Sequence, residues 1–365
     1  MEKQDLFNYS NKLSKTNIGL NPDLSNPFKK EAPQQRISRK CGTIKLLSKE
    51  YKCEAHSHLD QNLADLQEDC SIYGIPNFGN TCYLSVVLQI FFLIPSFIDD
   101  IKNLNGKHLK RSADCAIKIF LQFALTYKTG KLSEILTKAS VFKNLLAIHE
   151  SKYKGRNMHD AEECLSSVLT MLSQTMRKNL VGNHIDLTEK YFKIKWNKRV
   201  QCSNCTEMKQ YPRESFVLYL TDLDFTQNIS QLIEKYLKPT EKKCNKCSHS
   251  KAITYREFSH IPELFIINLQ RTLVINRRVT KVTKPIIHMM ELSLSQLNKT
   301  KTPYKLVSVI NHEGESSDCG HYAGFFYREF GDSWFHCNDK IIKETTQGAV
   351  LDSQTNSYLL CYKKV

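Results

Sequence analysis

The sequence predicts an α+β chain with helices first and strands last. Three observations carry this. Between Tyr73 and about Lys190 the apolar residues recur mostly at helical spacing, and about residues 191–260 hold short strand-like runs around two Cys-x-x-Cys pairs. From Ile261 onward alternating runs dominate, as in Leu264-Phe265-Ile266-Ile267-Asn268-Leu269-Gln270 and Lys305-Leu306-Val307-Ser308-Val309-Ile310. Ahead of these segments, Met1 to about Ser38 is polar and rich in Asn, Ser, Lys and Pro, a composition that predicts disorder. Cys41 to Cys70 carries scattered apolar residues that could partly order against the segment that follows, and residues 1–70 as a whole read as a largely disordered extension. Cys53, His56 and His58 match no standard metal spacing. There is no internal repeat.

The helical segment opens on its most informative stretch, Gly74-Ile75-Pro76-Asn77-Phe78-Gly79-Asn80-Thr81-Cys82-Tyr83. Gly74, Pro76 and Gly79 predict an irregular loop. Tyr83, Val86, Val87, Ile90 and Ile94 then recur at helical spacing until Pro95 stops the pattern. Cys82 therefore falls in the first turn of a buried helix. Unpaired N–H groups and the helix dipole there favour an anion, and such surroundings lower a thiol pKa from about 8.5 into a range of roughly 3.5 to 7.5. Taken alone, a cysteine beside an apolar run is more often a buried structural residue.

The C-terminal strands supply what a nucleophilic cysteine needs. Asp318-Cys319-Gly320-His321-Tyr322-Ala323-Gly324-Phe325-Phe326 places a histidine at the head of an aromatic alternating run. Trp334-Phe335-His336-Cys337-Asn338-Asp339 then sets an amide and a carboxylate at the start of a turn. Cys82, His321 and Asn338, in chain order, match the thiolate, imidazole base and orienting polar group of a cysteine protease. Cys319 and Cys337, neighbours of His321 and Asn338 in sequence, raise the further idea of an oxidative bridge to Cys82.

In the middle segment, Cys202-Ser203-Asn204-Cys205 and Cys244-Asn245-Lys246-Cys247 are separated by 38 residues, a spacing that predicts a closed four-thiolate structural Zn2+ site. Disulfides are the competing reading, but no secretory signal and no membrane-spanning apolar run accompany the thirteen cysteines.

The net charge is +15, and residues 1–70 carry 11 basic against 10 acidic residues, so the excess belongs to the remainder. Such a basic surface suits chromatin-bound or nucleic-acid partners, although a solvated face is the commoner case. No helix-turn-helix, RNA-recognition or finger-repeat pattern supports a dedicated nucleic-acid module.

On these residues the chain resembles the ubiquitin-specific protease family. Gly74 to Gln89 reads like its cysteine box and Tyr304 to Tyr362 like its histidine box, with Ser357-Tyr358-Leu359-Leu360-Cys361-Tyr362 as the terminal strand. The resemblance implies a papain-like fold of fingers, palm and thumb. It divides residues 71–365 into a helical thumb over about 73–190, zinc-ribbon fingers over about 191–260 and an antiparallel β palm over about 261–365. It implies Cys82 as nucleophile, His321 as general base and then acid, and Asn338 as orienting residue. Asp339 polarises the site or shares that third role, and Asn77 lies where the family places its oxyanion-hole side chain. Gly155 to Leu165 resembles the family's Gln-Gln-Asp-Ala-Gln-Glu-Phe-Leu segment. Asp160 and Glu163, three apart and expected on one helical face, would then meet the ubiquitin tail, with Tyr322 as a further substrate contact. Acidic first-turn residues also simply complement a helix dipole.

The expected partners are ubiquitin and ubiquitinated proteins, and the expected reaction is isopeptide hydrolysis. A catalytically silent ubiquitin-binding scaffold and a protease for a ubiquitin-like modifier are the alternatives. Tyr153 to Leu172, Lys281 to Leu294 and Tyr358 to Lys364 further resemble the branch acting on the monoubiquitinated sliding clamp and Fanconi anaemia proteins. That likeness implies a WD40-repeat activator, a DNA-damage role and a location in the nucleus and/or cytoplasm. Departures are Ser85 where relatives carry Asn, Cys164 and Cys337 in place of aromatics, and Asn268-Leu269-Gln270-Arg271-Thr272 in place of His-Leu-Lys-Arg-Phe.

Overall fold

Helix α1 (Cys82–Phe91) follows directly from the pattern, since all ten of its residues are buried. The computed structural model describes residues 72–107, 115–179, 186–205, 207–221, 223, 227–247, 251–275, 278–293, 303–317, 319–329 and 331–365. The expected N-terminal extension and Asp318 lie outside them. Pro95 ends the first apolar run by opening the next helix, α2 (Pro95–Lys107), where its missing N–H costs nothing. Helices α3 (Cys115–Lys128), α4 (Leu132–His149), α5 (Ala161–Asn179) and α6 (Leu187–Phe192) complete the helical part. Phe91, Phe97, Phe120 and Phe192 meet edge-on or stacked at its centre, with ring centroids 4.9–6.1 Å apart.

Two sheets follow. Strands β1 (Ile194–Cys202), β2 (Met208–Ser215), β4 (Thr240–Lys242) and β5 (Ala252–His260) form a four-stranded sheet in the order β2-β1-β5-β4. Between them lie β3 (Leu218–Leu220) and α7 (Ile229–Leu237), the latter closed by a capping box between Asn228 and Gln231. Strands β6 (Leu264–Leu269), β7 (Thr272–Ile275) and β8 (Arg278–Lys281) come next, the last two forming a separate hairpin. The chain continues through β9 (Glu291–Ser293), β10 (Pro303–Glu313), β11 (His321–Arg328), β12 (Ser333–Asn338), β13 (Ile341–Thr345), helix α8 (Gln347–Asp352) and β14 (Ser357–Lys364).

The large sheet has the order β13-β12-β11-β10-β14-β6-β3, with β9 added to β10. It departs from the expected all-antiparallel palm in one pair, because β3 runs parallel to β6. Residues 218–220 thus leave the middle segment and join the C-terminal sheet beside β6, whose six residues are buried on both faces and apolar but for Asn268. Helix α1 packs against α5 on one side and against β11 on the other. That placement brings the cysteine loop to the head of β11, where His321 sits.

Candidate active site

The site is assembled by close backbone approach at two glycines. A Cβ on Gly74 would collide with the backbone of Lys340, and one on Gly320 would collide with the Glu313 carbonyl and the His312 ring. The first contact seats the cysteine loop on the β12–β13 hairpin, reinforced by the Ile75 N–H donating to the Asp339 carbonyl at 3.0 Å. The second lets β11 begin tightly against β10, with Glu313 opposite His321.

Cys82 is the first residue of α1 and is 5% exposed. The loop before it is folded around one side chain. Asn77 Oδ1 accepts from the Gly79 and Thr81 N–H groups at 3.1 Å each and from the Thr81 hydroxyl at 3.3 Å. Asn80 takes a left-handed conformation (φ 53°) and ties the loop to the Arg156 carbonyl at 2.8 Å. Behind it, Ser85 donates to the Ile75 carbonyl at 3.1 Å and Gln89 Nε2 to the Tyr73 carbonyl at 2.6 Å. The substitution of Ser85 for the family's asparagine therefore still pins the loop.

His321 faces Cys82. Its Nε2 lies 2.9 Å from Asn338 Oδ1. An amide oxygen only accepts, so Nε2 carries the proton and Nδ1 is the nitrogen left for Cys82. The hydrogen bond to Cys82, followed by that to Asn338, pushes the His321 pKa up to about 9 against the opposing effect of burial. The cationic ring is thus favoured beside the sulfur, the arrangement that activates a thiol for attack. Asp339, in a left-handed turn position (φ 50°), accepts from Asn77 Nδ2 at 3.1 Å. Burial pushes its carboxyl pKa up, and its Oδ1 is enclosed without a partner among the described residues.

A profile of the ubiquitin carboxyl-terminal hydrolase family matches residues 73–362. The chain belongs to this family. It is 24% identical over 315 residues to ubiquitin carboxyl-terminal hydrolase 36 of Drosophila virilis, covering 80% of this chain and 25% of that protein. It is 25% identical over 300 residues to the probable ubiquitin carboxyl-terminal hydrolase 8 of Schizosaccharomyces pombe, covering 79% of this chain and 64% of that one. The chain thus spans between a quarter and two thirds of these relatives. In fold it resembles the SAGA Ubp8/Sgf11/Sus1/Sgf73 DUB module bound to ubiquitin aldehyde, with a TM-score of 0.71 at 18% identity over 88% of this chain and 75% of that one. The same module bound to monoubiquitin gives 0.70 at 20% identity, over 80% and 69%. This is the ubiquitin-specific protease fold: α1 to α6 form the thumb, the four-stranded sheet the fingers, and the large sheet the palm.

Within that family fold, the structure brings Cys82, His321, Asn338, Asn77 and Asp339 together. The three expected substrate residues are distributed differently. Asp160 does not project from the face of α5 beside Glu163. It precedes the helix as its N-cap, Oδ1 accepting from the Glu163 N–H at 3.0 Å. Its Oδ2 accepts from the hydroxyls of Tyr322 and Tyr358 at 3.2 and 2.6 Å. Tyr322 is consequently buried. Glu163 turns away to Lys152 at 3.0 Å, because Lys152 lies on the short turn ahead of α5. Sequence gives Tyr358 no role at the site, since it is one of two tyrosines in the terminal strand and nothing local marks which of them reaches Asp160.

Cys337 points to the opposite face of β12 from Asn338 and is buried. There burial pushes its thiol pKa up, which disfavours the thiolate that an oxidative bridge to Cys82 would need. Cys164 is fully buried as well, filling core space where relatives place an aromatic.

At the far end of the fingers, Cys202, Cys205, Cys244 and Cys247 converge, their four sulfurs all within 4.8 Å of one another. Cys202–Cys247 and Cys205–Cys244 are 3.6 and 3.7 Å apart, and the Asn204 and Lys246 N–H groups each point at a sulfur at 3.4 Å. Such a cluster is built to hold a metal ion.

Proposed function

We propose that this chain is a thiol-dependent deubiquitinase that hydrolyses the isopeptide bond after the C-terminal glycine of ubiquitin. The observation that carries this is the Cys82–His321–Asn338 alignment, with Nε2 fixed at 2.9 Å from Oδ1, in a chain of this family. The Cys82 sulfur attacks the glycine carbonyl. The second Nδ2 proton of Asn77 and the Cys82 N–H receive the oxyanion, and His321 delivers its Nδ1 proton to the departing lysine amine. His321 then deprotonates water, which releases ubiquitin from the thioester. Asn338 holds the ring throughout, keeping Nδ1 turned to the sulfur.

The four fingers cysteines fit Zn2+. Zinc–sulfur bonds of about 2.3 Å in a tetrahedron set sulfurs about 3.8 Å apart, whereas a disulfide needs about 2.05 Å. Their 3.6–3.7 Å pairs match the first geometry. A bound zinc supplies a structural cross-link between the β1–β2 turn and the turn after β4, remote from bond cleavage.

Support for a role on DNA-damage substrates, for a WD40-repeat activator and for a nuclear or cytoplasmic location is confined to the three resembling segments and the basic charge. The test begins with ubiquitin carrying a C-terminal electrophile. A covalent adduct on the wild type but not on Cys82→Ala is expected by mass spectrometry. An adduct only with ubiquitin-like probes would make the protein a protease for another modifier, and none at all would make it a scaffold.

A further inference from the structure

We infer that Asp160 is a positioning residue that, through the hydroxyls of Tyr322 and Tyr358, sets the approach of His321 to Cys82. The inference rests on the reading of Cys82 and His321 as the reacting pair. It differs from a substrate-tail role for Asp160, because the groups that hold the carboxylate belong to the protein itself.

The argument is one of connectivity. The nucleophile and base sit on different subdomains, Cys82 on α1 and His321 on β11. Helix α1 packs on α5, and Asp160 is the N-cap of α5, so the carboxylate is fixed to the thumb side. Its two hydroxyl donors come from the palm, Tyr322 on β11 and Tyr358 on β14. Tyr322 is bonded covalently to His321, and strand alternation turns the two side chains to opposite faces. A pull on the tyrosine hydroxyl therefore rotates and seats the backbone that carries the imidazole.

The rest of the cluster leaves Tyr322 little freedom. Its ring stacks on His312 at 4.7 Å, and that histidine is the cross-strand partner of Tyr322 on β10. Tyr358 lies 5.9 Å from Tyr322. Burial pushes the Asp160 carboxyl pKa up, as expected of a group enclosed among rings with its charge held by the Glu163 N–H and two hydroxyls.

Two variants separate the possible roles. Asp160→Asn keeps the N-cap, since asparagine caps as well as aspartate. With its one oxygen on the Glu163 N–H, it turns an amide NH2 toward the tyrosines, so the two charge-assisted bonds give way to weaker neutral ones in which the hydroxyls must accept. Tyr358→Phe removes one hydroxyl and leaves the cap and the charge intact. The readout is the rate at which iodoacetamide alkylates Cys82 at pH 7, followed on the Cys82 peptide by mass spectrometry, since this small reagent meets no ubiquitin subsite.

We expect alkylation to fall about tenfold in Asp160→Asn, the scale of losing hydrogen bonds to a charged group. A smaller fall in Tyr358→Phe, and no further loss in the double variant, are expected of one network. On a ubiquitin C-terminal amide the same variants should lower kcat while KM stays within about twofold. Unchanged alkylation with a raised KM would overturn the inference in favour of tail binding. Unchanged alkylation with only a lower melting temperature would reduce Asp160 to a cap. A wild-type Cys82 no more reactive than an ordinary thiol would overturn both this inference and the cysteine-protease reading beneath it.

Discussion

Replacing Asn338 by alanine tests the assignment of the third catalytic residue. The Nε2–Oδ1 bond of 2.9 Å is made to a ring that is cationic when it faces the thiolate. Hydrogen bonds to charged groups contribute about 1.5–3 kcal/mol, and the half-exposed setting of Asn338 places this one toward the lower end, about 1.5–2 kcal/mol. That corresponds to a fall of roughly 10- to 30-fold in kcat.

The pH profile carries a second, independent sign. The active ion pair requires the imidazolium, so wild-type activity is lost as pH rises through about 9, where His321 gives up its proton. Without Asn338 one of the two bonds that raise this pKa is gone, and the basic limb moves to lower pH. The assay is steady-state cleavage of ubiquitin bearing a C-terminal fluorogenic amide, measured from pH 6 to 10 for wild type, Asn338→Ala and Asp339→Ala. An Asn338→Ala enzyme within about twofold of wild type, or an Asp339→Ala enzyme that loses more than Asn338→Ala, would refute the reasoning and pass the third role to Asp339.

Asn77→Asp should lose at least roughly 100- to 1,000-fold in kcat, since it removes the Nδ2 donor and sets a second carboxylate against Asp339, while it retains an oxygen for the Gly79 and Thr81 N–H groups. A melting temperature close to that of the wild type would separate this loss from unfolding, which Asn77→Ala also risks. Chelation of the metal held by the four fingers cysteines, or Cys244→Ser, should release the tip of the fingers and leave the thumb and palm folded. Metal analysis and hydrogen exchange would check it, and exchange confined to residues outside 194–260 would contradict it. Stability should fall on acidification, because burial holds the folded-state pKa of His288 and His312 at about 4, below the ordinary 6.5. The neutral rings stabilise the fold above pH 6.5, and that contribution is lost as pH falls from 6.5 toward 4. His312→Gln should flatten the slope of urea midpoint against pH in that window, and an unchanged slope would count against it.

Much of this site was legible because its parts are local in sequence. The loop-to-helix junction at Cys82 is written in glycine, proline and a helical apolar period, and the folded chain starts α1 at that residue. The two Cys-x-x-Cys pairs carry their meaning in spacing, and the sulfurs converge as spacing predicts. His321 and Asn338 were harder, since each alone is an ordinary strand-end residue and only their order after Cys82 gave them roles.

What stayed hidden is what depends on the angle at which separate elements meet. That the second oxygen of the Asp160 cap is enclosed rather than left open to a ligand is decided by two tyrosine hydroxyls from strands about 160 and 200 residues downstream, and no local pattern encodes their arrival. The partition of β3 into the palm was hidden for the same reason, since Leu218–Leu220 is too short to declare a partner and is recruited by the fully buried β6. In both cases long-range burial overruled a local expectation, and in both the departure lies at a junction between subdomains. Those junctions are where the relative placement of nucleophile and base is set, so the residues least readable from sequence are the ones whose substitution should alter alignment more than fold.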